Sequence, residues 1–257
     1  MRRALIGYTG FVGSNLDAPG RFTERYNSTN IEALSGRRFD EVWCAGIQAE
    51  KWWANQNPDA DWAGICRLLD VLKHVKAERF ILISTVDVYR EPIGVDEDSP
   101  VTEIDHHFYG LHRLRVEKFV ANAFHDHHIF RLPGLYGSGL KKNLIFDVVN
   151  NRSIDGFHAA STFQFYGLDD LWADTQKACE IGLKVFNVAV APVSVARLVE
   201  RLTDKPYFHA TTAPPLVYDM QTKYSALWRV SGKYLQTAEE TLRRIAAYVE
   251  GVRKGPR

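Results

Sequence analysis

The sequence has few cysteines, and none of the spacings that would give them a structural role. Cys44, Cys66 and Cys179 are the three cysteines in 257 residues, and no CxxC pair occurs. An odd and scattered set argues against both a disulfide framework and a thiolate zinc site. We therefore expect a reducing, cytoplasmic environment.

An excess of charge of one sign and long apolar runs are also lacking. The formal net charge is +1, from 32 Lys and Arg against 31 Asp and Glu, and the basic residues are dispersed. Nucleic-acid surfaces concentrate Lys and Arg on one face, so no nucleic-acid partner is expected. The first ten residues, MRRALIGYTG, contain an apolar run too short for a signal peptide or a membrane span. No membrane partner is expected either.

The histidines form two local clusters, at 106–107 and at 125–128. Neither cluster has the paired carboxylate or cysteine spacing of a metal site. The sequence therefore predicts no bound metal.

Apolar runs alternate with amphipathic helical patterns along most of the chain. Helical spacing occurs at 59–75 and 109–124, and the apolar runs lie at 4–6, 41–45, 79–84, 129–132 and 185–190. Nearly continuous apolar strands suit burial on both faces, and their alternation with helices predicts a doubly wound parallel sheet. After Pro133 the pattern loosens, which indicates an inserted lobe.

The most informative residues are Gly7, Gly10 and Gly13 in GYTGFVG, between the first predicted strand and the first predicted helix. Glycine allows the backbone to approach a pyrophosphate, while the helix presents unpaired N–H groups to the anion. The pattern predicts an α/β Rossmann-type dinucleotide-binding domain over 1–134 and 163–190. The small substrate-binding lobe then comprises 135–162 and 191–257.

The spacing of two residues between the glycines resembles the extended short-chain dehydrogenases/reductases, the NAD-dependent epimerase/dehydratase family. Further segments resemble this family in the same order: LISTVDVY at 82–89, FYGLHRLRVEKFV at 108–120, RLPGLYGSGLKKN at 131–143 and FYGLDDLWAD at 165–174. The resemblance implies an NAD(P)-dependent oxidoreductase or epimerase. Its substrate would be a hydroxyl or keto carbon of a sugar nucleotide or a related small carbonyl compound.

The resemblance also implies catalytic roles for Thr85, Tyr109 and Arg113. Thr85 would polarise the substrate oxygen and Tyr109 would exchange the proton. Arg113 stands where the family has a lysine that lowers the pKa of the tyrosine. Arginine keeps the charge but cannot relay a proton. Three interpretations stay open: a working variant site, a slow or altered enzyme, and a non-catalytic NAD(P)-binding sensor or scaffold with an attenuated active site.

The cofactor is expected to be NAD or NADP. The segment RYNSTN at 25–30 offers Asn27 and Ser28 but no carboxylate that would repel the 2′-phosphate of NADP. The sequence therefore slightly favours NADP. The remaining predicted cofactor contacts are Gly7, Gly10, Phe11, Val12, Gly13, Cys44, Ala45, Gly46, Ser84, Tyr109, Arg113, Pro133 and Leu135.

Thr85, Tyr109, Lys142 and Asn143 are the predicted substrate-binding residues. A lysine side chain would attract the negative charge of a diphosphate. The resemblance implies that the asparagine also lies at the diphosphate. The family often has an arginine where this chain has the pair 163–164, Phe and Gln. That difference and the short chain leave a smaller keto substrate as an alternative. We expect a homodimer.

Overall fold

The computed structural model describes residues 1–254. The strands are β1 (Arg3–Ile6), β2 (Glu24–Tyr26), β3 (Arg38–Cys44), β4 (Lys76–Thr85), β5 (Ile93–Val95), β6 (His127–Leu132), β7 (Gly134–Tyr136), β8 (Thr162–Phe163), β9 (Phe165–Gly167), β10 (Val185–Asn187), β11 (Val193–Ser194) and β12 (Asp219–Met220). The helices are α1 (Phe11–Leu16), α2 (Lys51–Gln56), α3 (Pro58–Leu72), α4 (Phe108–Ala123), α5 (Leu144–Val149), α6 (Leu171–Ile181), α7 (Val195–Thr203) and α8 (Ala238–Lys254).

The central sheet has six parallel strands in the order β10-β6-β4-β3-β1-β2. Its strands are apolar at consecutive positions because both faces are covered. In β1, Ala4, Leu5 and Ile6 are at most 2% exposed, and Phe80 to Leu82 of β4 are equally buried. The predicted Rossmann-type doubly wound sheet is confirmed.

The chain divides into two compact units. The first comprises 1–91, 100–131 and 170–186, and the second comprises 92–99, 132–169 and 187–257. This division differs from the predicted limits chiefly at 92–99 and 163–169, which lie in the second unit. Both segments contribute short strands, β5 and β9, that pair within that unit with β12 and β7.

The second unit has a core of its own, built from α5, α7 and α8. Val195, Leu198 and Ile245 are at most 1% exposed within it. Helix α8 begins after Thr237, and its Glu240 amide donates to the Thr237 hydroxyl at 3.2 Å. This bond is half of a capping box.

Two searches of residues 1–254 gave negative findings. None of the helices in this range is long and apolar enough to cross a membrane. Over the same residues, no three His, Cys, Asp or Glu side chains are grouped so that they could hold a metal ion.

Candidate active site

The glycine turn brings the end of β1 against the backbone that follows β3. Gly7 has φ +86°, and a Cβ built on it would lie 2.4 Å from the carbonyl oxygen of Ala45. A Cβ on Gly13 would lie 2.0 Å from the Gly7 oxygen, and one on Gly46 would lie 2.8 Å from a methyl group of Ile6. Larger residues at Gly7 or Gly46 would separate the ends of β1 and β3, and one at Gly13 would push α1 away from the turn. The glycines therefore fix the shape of the turn.

Gly10 differs from the other glycines in the turn because it is exposed. Its φ of −80° and ψ of 169° place it as the N-cap of α1. The first intrahelical hydrogen bond of α1 runs from the Ser14 amide to the Gly10 oxygen at 2.8 Å. The amides of Phe11, Val12 and Gly13 precede it and have no acceptor within the helix. This open end of α1 fits the pyrophosphate of a dinucleotide.

At the end of β2, the predicted ribose-binding residues are engaged with their neighbours. The side-chain oxygen of Asn27 accepts hydrogen bonds from the Thr29 amide at 2.9 Å and from the Thr29 hydroxyl at 2.7 Å. Ser28 is exposed. Arg25 is bound to both carboxylate oxygens of Asp17, at 2.7 and 2.9 Å from its Nε. The guanidinium is therefore directed at Asp17.

Thr85 ends β4, and Tyr109 lies in the first turn of α4. Thr85 accepts a hydrogen bond from the Asp87 amide at 3.2 Å, and its side chain acts to lower the pKa of the Tyr109 phenol. The Tyr109 amide donates to the side chain of Asn55 at 2.9 Å, which holds the start of α4 against α2. The structure thus brings the two residues that were predicted to be catalytic into the same part of the first unit.

Tyr109 is only 7% exposed. Burial raises the pKa of its phenol, and the charge of Asp87 acts in the same direction. Arg113, Thr85 and Lys51 favour the phenolate but do not overcome burial. The resting side chain is therefore a neutral phenol, which is suited to donate a proton.

Arg113 is held by a buried carboxylate. Its Nη1 and Nη2 donate to the two oxygens of Asp61 at 2.5 and 2.9 Å, and Nη2 also donates to the Gln48 carbonyl. Asp61 is further bound by Nδ1 of His112 at 2.7 Å. The guanidinium carbon lies 4.0 Å from the centroid of the Tyr109 ring. Arg113 therefore packs over the ring with its charge compensated.

The same arrangement leaves one buried donor in the site. Nε of Arg113 has no hydrogen-bond partner among the described residues, although the residue is only 3% exposed. An unused buried donor is costly unless a ligand or water accepts from it. This donor and the open amides of α1 are consistent with a bound cofactor.

The structure adds charged groups that the sequence did not single out. Nζ of Lys51 lies 2.6 Å from Oδ1 of Asp87, and Nε2 of His107 lies 4.0 Å from the same oxygen. Burial, the charge of Lys51 and that of His106 lower the pKa of His107 to about 4, against the opposing effect of Asp87. Asp87 was visible two residues after Thr85 in STVDVY. Lys51 was not, because it comes from α2.

Ser84 and the cysteine segment have structural contacts in the first unit. The Ser84 hydroxyl donates to Glu117 at 2.5 Å, and Glu117 also binds Arg131. Cys44 is fully buried at the end of β3, and burial raises the pKa of its thiol to about 11. Cofactor contacts of Ser84 and Cys44 stay predictions.

Four predicted site residues belong to the second unit. Pro133 is buried, Leu135 is half-buried and Lys142 is exposed. Asn143, at φ 133°, caps α5: its oxygen accepts from the Phe146 amide at 3.1 Å, and its amide group donates to the Leu135 carbonyl at 2.8 Å. The Asn143 side chain is therefore engaged within this unit, and the predicted ligand contacts of all four stay predictions.

Gln164, in the place where the family often has an arginine, is buried in the second unit. Its side chain donates to the carbonyls of Val190 and Met220 and accepts from the Met220 amide at 2.8 Å. Two of these bonds tie the residue before β9 to β12, and the third binds the main chain at Val190. Gln164 thus has a structural role here.

Comparison with known proteins agrees with this architecture. The structure resembles the RMD protein of Pseudomonas aeruginosa solved with NADPH (TM-score 0.73, 18% identity, covering 97% of this chain and 99% of that one). It also resembles a dTDP-4-dehydrorhamnose reductase of Clostridium acetobutylicum (TM-score 0.74, 16% identity, 98% and 100% covered). A third similar structure is a UDP-N-acetylglucosamine 4-epimerase of Methanobrevibacter ruminantium (TM-score 0.73, 14% identity, 99% of each chain covered).

At these identities the structural likeness concerns the fold. No curated protein matches the sequence. The model of the NAD dependent epimerase/dehydratase family matches residues 23–170, which is more than half of the chain. The chain therefore belongs to the NAD dependent epimerase/dehydratase family.

Proposed function

We propose that this protein is an NAD(P)-dependent enzyme that acts on a hydroxyl or keto carbon of a sugar nucleotide or a related small carbonyl compound. One observation carries the proposal: the first unit contains both an open amide cradle at Gly10 and the hydroxyls of Thr85 and Tyr109, of which Thr85 acts on the pKa of Tyr109. Similar structures were solved with NADPH, or are named as epimerases and reductases of nucleotide sugars.

The residues of this chain have separable roles in such a reaction. The glycine turn and the first amides of α1 would hold the pyrophosphate. A bound nicotinamide supplies or accepts the hydride. Thr85 would donate a hydrogen bond to the substrate oxygen, and the neutral phenol of Tyr109 would give its proton to that oxygen as the keto carbon is reduced. In the oxidative direction Tyr109 would take the proton back.

For the cofactor we propose a preference for NADP. The support is the absence of a carboxylate at 25–30, where an acidic side chain would repel a 2′-phosphate. Arg25 does not add to this preference, because Asp17 holds it. Calorimetric titration with NADPH and NADH tests the choice. Tighter binding of NADH would contradict it.

The predicted substrate contacts of Lys142 and Asn143 remain part of the proposal. Lys142 is exposed and could attract a diphosphate. A charge-removing substitution, Lys142→Gln, should raise KM for a nucleotide sugar and leave KM for an uncharged ketone unchanged. Equal effects on both substrates would contradict a diphosphate role. We further propose that the protein is a cytoplasmic homodimer. Analytical ultracentrifugation would measure the mass of the dimer.

The proposed function is tested by following NAD(P)H oxidation with a panel of keto sugar nucleotides and simple ketones. Tyr109→Phe should abolish turnover and preserve cofactor binding. Tyr207→Phe is a matched control, because it removes a hydroxyl that donates to the main-chain carbonyls of Ile154 and Phe157 in the second unit. Nothing in the comparisons supports the non-catalytic alternative. Cofactor binding without turnover on any substrate would favour it.

A further inference from the structure

We propose that a buried network of four side chains, Ser84, Tyr89, Glu117 and Arg131, positions Thr85 for the proposed reaction. This role rests on the proposed function, because the network holds a hydroxyl that would bind the substrate oxygen. All four are positioning residues. They act through the segment 85–88, which we call the Thr85 turn.

The Thr85 turn is short, and its own hydrogen bonds hold it weakly. Val86–Val88 form a single turn of 3-10 helix. The Asp87 amide donates to the Thr85 hydroxyl at 3.2 Å, and the Tyr89 amide donates to the Val86 carbonyl at 3.0 Å. Hydrogen bonds in 3-10 helices have poorer geometry than those in α-helices. A fixed position for the Thr85 hydroxyl therefore needs support from outside the turn.

The network gives this support on both sides of the turn. Directly before it, the Ser84 hydroxyl donates to Oε1 of Glu117 at 2.5 Å. Directly after it, the phenol oxygen of Tyr89 accepts from Nη1 of Arg131 at 2.7 Å. Glu117 and Arg131 bind each other, with Nη2 donating to Oε2 at 2.7 Å and Nε donating to Oε1 at 3.1 Å. A single ion pair thus anchors the residues at both ends of the Thr85 turn.

The ion pair is buried and joins two elements of the first unit. Glu117, on α4, is 4% exposed, and Arg131, on β6, is 5% exposed. All three guanidinium nitrogens and both carboxylate oxygens have hydrogen-bond partners in the network. Desolvation offsets much of the attraction within a buried pair, so the pair is weak evidence for a gain in stability. Its contribution here is a fixed geometry at the end of β4.

The network also controls how the Thr85 turn meets the helix that carries Tyr109. A Cβ built on Gly110, the residue after Tyr109, would lie 2.0 Å from the carbonyl oxygen of Asp87. The first turn of α4 is therefore in direct contact with the Thr85 turn. Glu117 lies about two helical turns further along α4 and holds the same segment through Ser84. These two attachments fix Thr85 relative to Tyr109.

Two mild substitutions each remove one anchor and leave the ion pair intact. Ser84→Ala frees the residue before the Thr85 turn, and Tyr89→Phe frees the residue after it. The first readout is amide hydrogen exchange, followed by NMR in the whole protein without cofactor. We expect the Asp87 and Tyr89 amides to exchange about 10-fold faster in each variant, the effect of one lost hydrogen bond. The Phe80 amide, which donates to the Asp126 carbonyl at 2.8 Å within the sheet, should be unchanged.

The second readout is the division of the kinetic effect between kcat and KM. Because a small displacement of a reacting group slows turnover, we expect kcat to fall about 10-fold in each variant. KM and the coenzyme affinity should stay within about twofold, since the network acts on the position of Thr85. Thr23→Val is the matched control. It removes a hydroxyl that bonds the main chain of Arg3 at the opposite edge of the same sheet, and both readouts should keep their wild-type values.

Three results would overturn the positioning role. Unchanged exchange of the Asp87 and Tyr89 amides in both variants would show that the anchors do not hold the turn. Equally faster exchange at Phe80 would show a general loss of stability. A loss of coenzyme affinity in Ser84→Ala, or an unchanged kcat in both variants, would also contradict the role. Failure of the wild-type protein to bind either nicotinamide coenzyme would instead overturn the proposed function, and the exchange rates would still test the network.

Discussion

Replacing Asp61 by asparagine tests whether Arg113, which stands where the family has a lysine, depends on Asp61 as its buried counter-ion. Asp61 and Arg113 have side chains that are 2% and 4% exposed, and they form a two-point ion pair to which His112 adds a third bond. Asparagine has nearly the same shape as aspartate but no charge. The substitution therefore leaves the guanidinium of Arg113 buried without a counter-ion.

The expected cost follows from the burial of the pair. Removing one partner of a buried ion pair destabilises a protein by about 3–5 kcal/mol, because the remaining charge is uncompensated. We expect Asp61→Asn to lower the free energy of unfolding by this amount. Exchanging both residues, as in Asp61→Asn with Arg113→Met, should recover most of it, because no buried charge is left unpaired.

Urea unfolding followed by tryptophan fluorescence measures this cost. Five of the six tryptophans lie in the first unit, so the signal reports mainly on the unit that contains the pair. A loss below about 1 kcal/mol for Asp61→Asn would refute the reasoning. It would mean that Asp61 and Arg113 behave as a solvated pair, and that Arg113 is free to act elsewhere in the site.

Three further predictions concern the same unit. Because the pKa of His107 in the folded chain is about 4, below its ordinary 6.5, the unfolded chain binds the proton first. The contribution of His107 to stability should therefore be complete above pH 6.5 and should be lost as the pH drops to 4. Asparagine can still cap α4, so His107→Asn should reduce this loss of stability by about 1–2 kcal/mol in acid unfolding curves. Gly13→Ala places a methyl group 2.0 Å from the Gly7 carbonyl, and thermal unfolding should show a loss of about 3 kcal/mol or more. Arg113→Lys gives up the two-point bond to Asp61, so it should cost about 2 kcal/mol in urea unfolding without raising turnover; a large rise in turnover would show that the natural site is attenuated by arginine.

The fold was predictable because its signals are local. Apolar strands and the glycine turn are each contained in a few consecutive residues, and burial on both faces requires such strands in a parallel sheet. The confirmed parallel sheet and the confirmed family follow from these signals. The segments 92–99 and 163–169 were harder to assign. Their strands are two or three residues long and pair with partners far along the chain.

The candidate site was only partly predictable, because its charges meet across long sequence separations. The spacing of Tyr109 and Arg113 on one helix was visible, and it correctly indicated that the two side chains are neighbours. Nothing in the sequence indicated that Asp61, on α3, neutralises Arg113. The pairing of Lys51 with Asp87 likewise depends on how α2 packs beside the end of β4, which no local pattern specifies.

The claim on which the account depends is that the open end of α1 binds a dinucleotide. Gly10→Asp tests it directly by calorimetry with NADPH and NADH. Gly10 is exposed with extended dihedral angles, and a Cβ there would contact only the Gly7 oxygen, at 3.3 Å. Aspartate is a good N-cap, so the variant should melt no lower than the wild type, yet its carboxylate would occupy and repel the phosphate position. We expect the wild type to bind at least one coenzyme and the folded variant to bind neither; no heat with the wild type, or equal binding by both proteins, would contradict the account.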